Sequence, residues 1–318
     1  MEGNSTVAKQ PPKKPNDSYS IQPKDYEDPN KGSLEDRIEK ISWDDVILDP
    51  KIKKELQDYA IGIACPETYS YYGLDPVRNL LLIGEPGTGK TISVKAMASA
   101  NDFDLLVIKT SDITDMWYGE SERKMQEAFN RAHEISEDNK RTCVLYFDEI
   151  DSIAEKRDTS HEATRRVMSV LLQNMDGIEK KGNVYVVAST NRIESLDPAL
   201  TRPGRFDLIL KIDCPKYEQL VHLYEHYIKK VISRAKKNYI DSINCQELAV
   251  KSTGFTGADV EYIVKKTCSE KMWNDYTLEC KMQDTHLVTN DFLRTISQYD
   301  PTRGGSKGSG KTIKGFGG

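Results

Sequence analysis

The sequence has no cysteine spacing that would indicate a disulfide framework or a zinc site. Its six cysteines are scattered and form no C-x-x-C pair, which fits reduced thiols in an intracellular protein. Met1–Gln10 contains no apolar segment of signal-peptide type, and Glu2 stands where myristoylation requires glycine. No apolar run is long enough to span a bilayer. We therefore expect a protein without a membrane span that resides in the cytoplasm; the nucleus is the alternative location.

The charge balance also lacks a basic excess. Forty-five Lys and Arg residues stand against fifty Asp and Glu residues, which gives a formal net charge of −5. Proteins that bind nucleic acids normally carry an excess of Lys and Arg, so this balance argues against general affinity for DNA or RNA. We interpret the basic cluster between Lys229 and Lys237 as a solvated helix face.

One stretch carries a specific signal. Asn79–Thr91 reads Asn-Leu-Leu-Leu-Ile-Gly-Glu-Pro-Gly-Thr-Gly-Lys-Thr, which places the pattern G-x-x-x-x-G-K-T after an apolar strand; the alternative is a chance glycine turn. In such a loop, backbone N–H groups surround phosphates, and a helix begins with its positive end toward them. Lys90 can reach the outer phosphates, and the Thr91 hydroxyl can bind Mg²⁺. The predicted nucleotide-binding residues are Gly84, Glu85, Pro86, Gly87, Thr88, Gly89, Lys90, Thr91 and Ile92.

The same pattern occurs a second time, at Gly305–Thr312, without the same surroundings. The residues before it are polar and include Pro301, and the glycine-rich residues up to Gly318 offer no helix after it. We expect a flexible tail here, and the alternative is a mobile segment that visits a partner.

Two further strands end in polar side chains suited to phosphate chemistry. The apolar run Thr142–Phe147 is followed by Asp148, which can hold Mg²⁺, and Glu149, which can accept a proton from an attacking water. The alternative is a pair of surface acids at a strand end. Val184–Ala188 leads to Asn191, whose amide could orient the same water.

The fold class follows from the alternation of strands and helices. Strands separated by helices predict a parallel sheet covered on both faces, with ligands at the carboxyl edge of the strands. The predicted strands are Leu80–Ile83, Leu105–Ile108, Thr142–Phe147, Val184–Ala188 and Leu208–Ile212. The predicted helices include Ser121–His133, Tyr217–Lys230, Cys245–Lys251, Gly257–Trp273 and Asn290–Gln298. We therefore predict an α/β P-loop NTPase sheet of five strands (residues 41–213) and a small helical domain (214–300), flanked by a mostly disordered segment (1–40) and a flexible tail (301–318).

Taken together, the motifs resemble those of classical-clade AAA ATPases, in particular the second ATPase module of valosin-containing-protein-type unfoldases. The resemblance covers about Ile41 to Tyr299. It rests on Trp43-Asp44-Asp45-Val46, Gly84–Thr91, Met116-Trp117-Tyr118-Gly119-Glu120-Ser121-Glu122, Asp148-Glu149-Ile150-Asp151, Ser189-Thr190-Asn191, Arg202-Pro203-Gly204-Arg205-Phe206-Asp207 and Gly254-Phe255-Thr256-Gly257-Ala258-Asp259.

The resemblance implies a homo-hexameric ring that binds ATP and Mg²⁺ at each subunit boundary. Asn191 would be sensor 1, and Arg202 and Arg205 would be arginine fingers acting in the neighbouring subunit's site. The helical domain would form a lid over the nucleotide. Residues around the adenosine would be Asp45, Val46, Gly257 and Ala258.

Trp117 and Tyr118 would grip an extended polypeptide in the central pore of the ring, and ordinary core packing is the alternative for these two aromatics. Ile47-Leu48 departs from the glycine pair that the family usually has at this position. Neither the family's substrate-recruiting domain nor a second ATPase ring falls within this sequence, so the adaptor is unassigned.

The main functional hypothesis is a Mg²⁺-dependent ATPase, converting ATP and water to ADP and phosphate, that threads, unfolds or disassembles proteins. A nucleotide-dependent scaffold with negligible turnover and a DNA-acting AAA+ relative are the alternatives.

Overall fold

The structure is a computed structural model that describes residues 41–110, 113, 120–154, 162–177, 183–236, 238–279 and 286–301. The strands are β1 (Asn79–Ile83), β2 (Asp104–Lys109), β3 (Cys143–Asp148), β4 (Val184–Thr190) and β5 (Leu208–Lys211). The helices are α1 (Pro50–Ala64), α2 (Pro66–Tyr71), α3 (Lys90–Ala100), α4 (Glu120–Asn139), α5 (Glu162–Gly177), α6 (Tyr217–Arg234), α7 (Cys245–Lys251), α8 (Gly257–Glu279) and α9 (Thr289–Gln298).

The strands form one five-stranded sheet in the order β2-β3-β4-β1-β5, and every neighbouring pair is parallel. β1 therefore lies between β4 and β5, so that Leu81 pairs with Ala188 on one side and with Ile209 on the other. This arrangement confirms the predicted α/β class and the predicted number of strands. It also brings the carboxyl ends of β1, β3 and β4 side by side.

The central strands are buried on both faces, which explains their uninterrupted apolar sequences. Leu80, Leu81 and Leu82 of β1 have no exposed surface. On one side of the sheet, Phe129 of α4 lies against Phe147 of β3, with ring centroids 5.9 Å apart. Because the side chains of a strand alternate between faces, helices must cover both sides of such a sheet.

The helices after β5 surround a second hydrophobic cluster, separate from the cluster at the sheet. It includes the buried side chains of Leu220, Tyr224, Leu248, Ile263 and Phe292. The division of the chain at residues 213 and 214 stays a prediction.

Several elements differ in extent from the sequence-based expectation. Helix α2, which has Pro66 in its first turn, was not predicted because six residues are too few to show a helical period. Helices α4 and α8 run past their predicted ends, to Asn139 and Glu279, because no Gly or Pro interrupts the chain there.

The predicted segment 1–40, the pore residues Trp117 and Tyr118 and the tail 302–318 lie outside the described residues. Within the described part of the chain, no helix is both long and apolar enough to cross a membrane.

Candidate active site

The loop between β1 and α3 makes the turn that the glycine pattern predicts. Gly89 has a φ of +104° and Gly87 a φ of +77°, a region that side chains with a Cβ rarely adopt. A Cβ on Gly87 would also lie 2.8 Å from the Cβ of Ala258. The loop thus needs glycine both to turn into helix α3 and to let helix α8 approach.

The Lys90 side chain is buried at the carboxyl end of the sheet. Its ammonium donates to the carbonyls of Gly84 (2.7 Å) and Glu85 (2.9 Å) and to Asn191 Oδ1 (2.7 Å). Burial lowers the pKa of this ammonium, and the nearby Asp148 carboxylate opposes that effect. Two predicted site residues that are 101 positions apart, Lys90 and Asn191, are therefore in direct contact because β1 and β4 are neighbours.

Asp148 lies at the end of β3 and accepts three side-chain hydrogen bonds. The Thr91 hydroxyl donates to its Oδ2 at 3.1 Å. The Tyr146 hydroxyl and the Ser189 hydroxyl donate to its Oδ1, at 2.8 Å and 2.6 Å. The carboxylate is therefore held in one orientation, with Oδ2 next to Thr91.

The Thr91 and Asp148 oxygens fit the requirements of Mg²⁺. They are hard oxygen donors 3.1 Å apart, and adjacent ligands of an octahedral Mg²⁺ with bonds of about 2.1 Å are also about 3 Å apart. The described residues contain no cluster of three or more His, Cys, Asp or Glu side chains that could hold a metal alone. One hydroxyl and one carboxylate, as Thr91 and Asp148 offer here, are the donor set expected where phosphate and water oxygens complete the coordination.

Glu149 adopts a left-handed backbone conformation, with φ 57° and ψ 52°. Such a conformation costs roughly 1–3 kcal/mol for a residue with a Cβ and persists when its surroundings hold it. Here the Glu149 N–H donates to Ser189 Oγ at 3.2 Å, and its carbonyl accepts from the Thr110 hydroxyl at 2.7 Å. The strained turn directs the strand end into the site.

These groups surround a single cavity of about 320 Å³. The sequence-predicted residues that line it are Asp45, Val46, Pro86, Gly87, Thr88, Gly89, Lys90, Thr91, Ile92, Asp148, Glu149, Asn191, Gly257 and Ala258. Gly84 and Glu85 do not line it, but their carbonyls hold Lys90. The cavity also has lining residues that were not predicted, namely Ile47, Leu48, Pro215, Leu223, Tyr227 and Glu261. Of these, Leu223 and Tyr227 are four residues apart on α6, a spacing that places both on one helix face.

Helix α8 contacts the glycine loop at the cavity. The Ala258 N–H donates to the Gly87 carbonyl at 3.2 Å. On the same side, His226 Nε2 lies 3.8 Å from Asp45 Oδ1. Burial lowers the pKa of the His226 imidazole, while the Asp45 carboxylate acts in the opposite direction.

Arg202 and Arg205 do not join this cavity in the described part of the chain, and their surroundings differ. Arg202 is exposed. Arg205 makes two bonds to Asp176, at 3.0 and 3.1 Å, and donates to the Ala199 carbonyl at 2.8 Å. The hydrogen bond from Arg205 holds the pKa of the Asp176 carboxyl below its usual value.

Residues 80–214 match the model of the ATPase family associated with various cellular activities (AAA). Over 233 residues, or 72% of its length, the chain is 34% identical to the cell division cycle protein 48 homolog of Archaeoglobus fulgidus. Over 254 residues, or 77% of its length, it is 32% identical to Protein SAV of Sulfolobus acidocaldarius. These alignments cover 30% and 31% of the two relatives, so the chain spans about a third of the proteins that it resembles.

Proposed function

Because the chain contains a domain of the AAA family of ATPases, we propose that it is a Mg²⁺-dependent ATPase that works in a ring to remodel proteins. The observation that carries the proposal is the convergence of Lys90, Thr91, Asp148, Glu149 and Asn191 on one cavity. Three separate strands deliver them, and each has a role in phosphoryl transfer.

The reaction is the hydrolysis of ATP to ADP and phosphate. The glycine loop and Lys90 hold the phosphates, while Thr91 and Asp148 hold Mg²⁺, which neutralises charge on the phosphate oxygens. Glu149 accepts a proton from the attacking water, and Asn191 orients that water. Asp45, Val46, Gly257 and Ala258 surround the adenosine, together with Leu48 and Tyr227, which line the same cavity.

The arginines act between subunits in this proposal. Arg202 and Arg205 lie away from the cavity of their own subunit, and Arg202 is exposed. Arginine stabilises the charge that develops on a transferring phosphate, and removal of such a finger costs on the order of 10³–10⁵ in rate. A homo-hexamer would bring them to the neighbour's site. The polypeptide substrate would pass the pore residues Trp117 and Tyr118.

The experiment that tests hydrolysis compares three proteins: the wild type, Glu149→Gln and Glu137→Gln. Glu137 is exposed on α4 and serves as a control for loss of one carboxylate. We expect Mg²⁺-dependent phosphate release from the wild type and the control, and almost none from Glu149→Gln, which still binds ATP. Equal background release from all three would refute the ATPase and favour a scaffold.

Ring assembly and remodelling need their own measurements. Turnover per subunit should rise with protein concentration as rings form, since each site needs a neighbour. Trp117→Ala and Tyr118→Ala should retain ATP hydrolysis and lose unfolding of a tagged fluorescent substrate. If both variants unfold the substrate normally, the threading proposal is wrong.

A further inference from the structure

Tyr146 places a hydroxyl at the proposed active site from within an apolar strand. It lies two positions before Asp148 on β3, so the two side chains project from the same face of the sheet. The residue has no exposed surface. Its hydroxyl donates to Asp148 Oδ1 at 2.8 Å and lies 3.3 Å from Thr91 Oγ1.

The hydrogen bonds of Asp148 show what this hydroxyl does. A carboxylate oxygen has two lone pairs, and Oδ1 accepts from both Tyr146 and Ser189, at 2.8 and 2.6 Å. Oδ2 accepts from Thr91 alone among the described side chains, at 3.1 Å. Oδ1 is thus saturated by protein donors, whereas Oδ2 keeps acceptor capacity beside Thr91.

We propose that Tyr146 is a positioning residue for the metal site: with Ser189, its hydroxyl fixes Asp148 so that Oδ2 faces Mg²⁺. This inference rests on the proposed function, because it concerns the same Mg²⁺ and ATP. Outer-shell hydrogen bonds of this kind orient a metal ligand, and their loss typically costs about 10–100-fold in metal affinity or activity.

A purely structural role for Tyr146 would not explain its hydroxyl. Phenylalanine would fill the same volume in a buried strand and would need no hydrogen-bond partner. A buried hydroxyl requires partners, and the partners here are a proposed metal ligand, Asp148, and Thr91, the other proposed ligand.

The test compares Tyr146→Phe with Tyr185→Phe. Tyr185 is also buried in the sheet, and it pairs with Val144 in β3, away from the carboxyl end that carries Asp148. The readout is the Mg²⁺ concentration that half-saturates the fluorescence change of a bound methylanthraniloyl-labelled ATP. Labelled-ATP binding in EDTA and the melting temperature in EDTA are measured alongside.

For Tyr146→Phe we expect the half-saturating Mg²⁺ concentration to rise about tenfold or more, with binding in EDTA unchanged. Tyr185→Phe should match the wild type. Ser189→Ala removes the second donor to Oδ1 and should shift the Mg²⁺ dependence in the same direction, which keeps the test valid if Tyr146→Phe folds poorly.

The outcomes separate the two proposals. If the wild type hydrolyses ATP with Mg²⁺ and both Tyr146→Phe and Ser189→Ala follow its Mg²⁺ curve, the positioning role is refuted and the ATPase stands. If Tyr185→Phe shifts as much as Tyr146→Phe, the effect is one of sheet packing, which also refutes it. If the wild type shows neither Mg²⁺-dependent binding nor hydrolysis, both proposals fail.

Discussion

The Asp176–Arg205 pair gives a prediction that joins stability to activity. Arg205 is expected to act on the neighbour's ATP, yet two of its nitrogens bind Asp176 of its own subunit. Asp176→Asn keeps the size of the side chain and removes the charge. The Arg205 side chain is 18% exposed and that of Asp176 is 54% exposed. Solvent screening on the Asp176 side limits the loss of unfolding free energy to about 0.5–1 kcal/mol.

The loss of activity should be larger than the loss of stability suggests. Without the Asp176 carboxylate, the guanidinium keeps its bond to the Ala199 carbonyl but loses the bidentate pairing that fixes its orientation. Small misplacements of a group that acts on a transition state cost up to about 100-fold, so we expect ATP turnover to fall about tenfold. Asp138→Asn, which changes an exposed aspartate on α4, should have no effect.

The assay is a double-mutant cycle on phosphate release at saturating ATP, with unfolding measured by urea titration. If Asp176 acts through Arg205, adding Asp176→Asn to Arg205→Ala should change turnover by less than about twofold. Two results would refute the reasoning. One is wild-type turnover in Asp176→Asn. The other is an equal further loss in the Arg205→Ala background, since Asp176 would then act independently.

Three other predictions follow from the same geometry. Arg202→Ala and Lys90→Ala should each abolish ATP turnover. Rings that mix the two variants should regain part of it, because the Arg202→Ala subunit keeps an intact nucleotide site and the Lys90→Ala subunit keeps the arginine finger. No recovery in mixed rings would argue against action in trans. Burial lowers the pKa of His226 from its usual 6.5, so the unfolded chain binds the proton more readily. Stability is therefore complete above about pH 6.5 and falls as the pH drops toward the folded-state pKa; His226→Gln should lose less unfolding free energy than the wild type between pH 7.5 and 5.5. Glu149→Gly should relieve the left-handed strain and raise the unfolding free energy by up to about 1 kcal/mol while abolishing hydrolysis, and a lower unfolding free energy would contradict this explanation.

Much of the fold and part of the site can be predicted from local sequence patterns. The five strands are short apolar runs, and all of them lie within one or two residues of their predicted positions. The glycine loop is recognisable because its shape depends on neighbouring residues alone. That Asp148 and Asn191 would meet the loop also followed, since parallel strands bring their carboxyl ends to one edge.

Other contacts could not be predicted, because they join residues that are far apart in the chain and depend on the direction in which each side chain points. Tyr227 has no local signal that assigns it to the cavity, and its place in the cavity wall depends on the position of α6 in the fold. The pairing of Arg205 with Asp176 spans 29 positions. The sequence motif does not distinguish Arg202 from Arg205. In the structure, Arg202 is exposed and Arg205 is bound to Asp176.

The sequence alone determined which segments form strands, where the phosphate loop lies and which side chains can perform the chemistry, because these depend on hydrophobic period, backbone sterics and residue type. The order β2-β3-β4-β1-β5 was decided by tertiary structure, and so were the orientation of Asp148 and the surroundings of each arginine. These features arise when distant segments pack together, and no spacing along the chain encodes a distance of 2.6 Å between the Ser189 hydroxyl and Asp148 Oδ1, which are 41 positions apart.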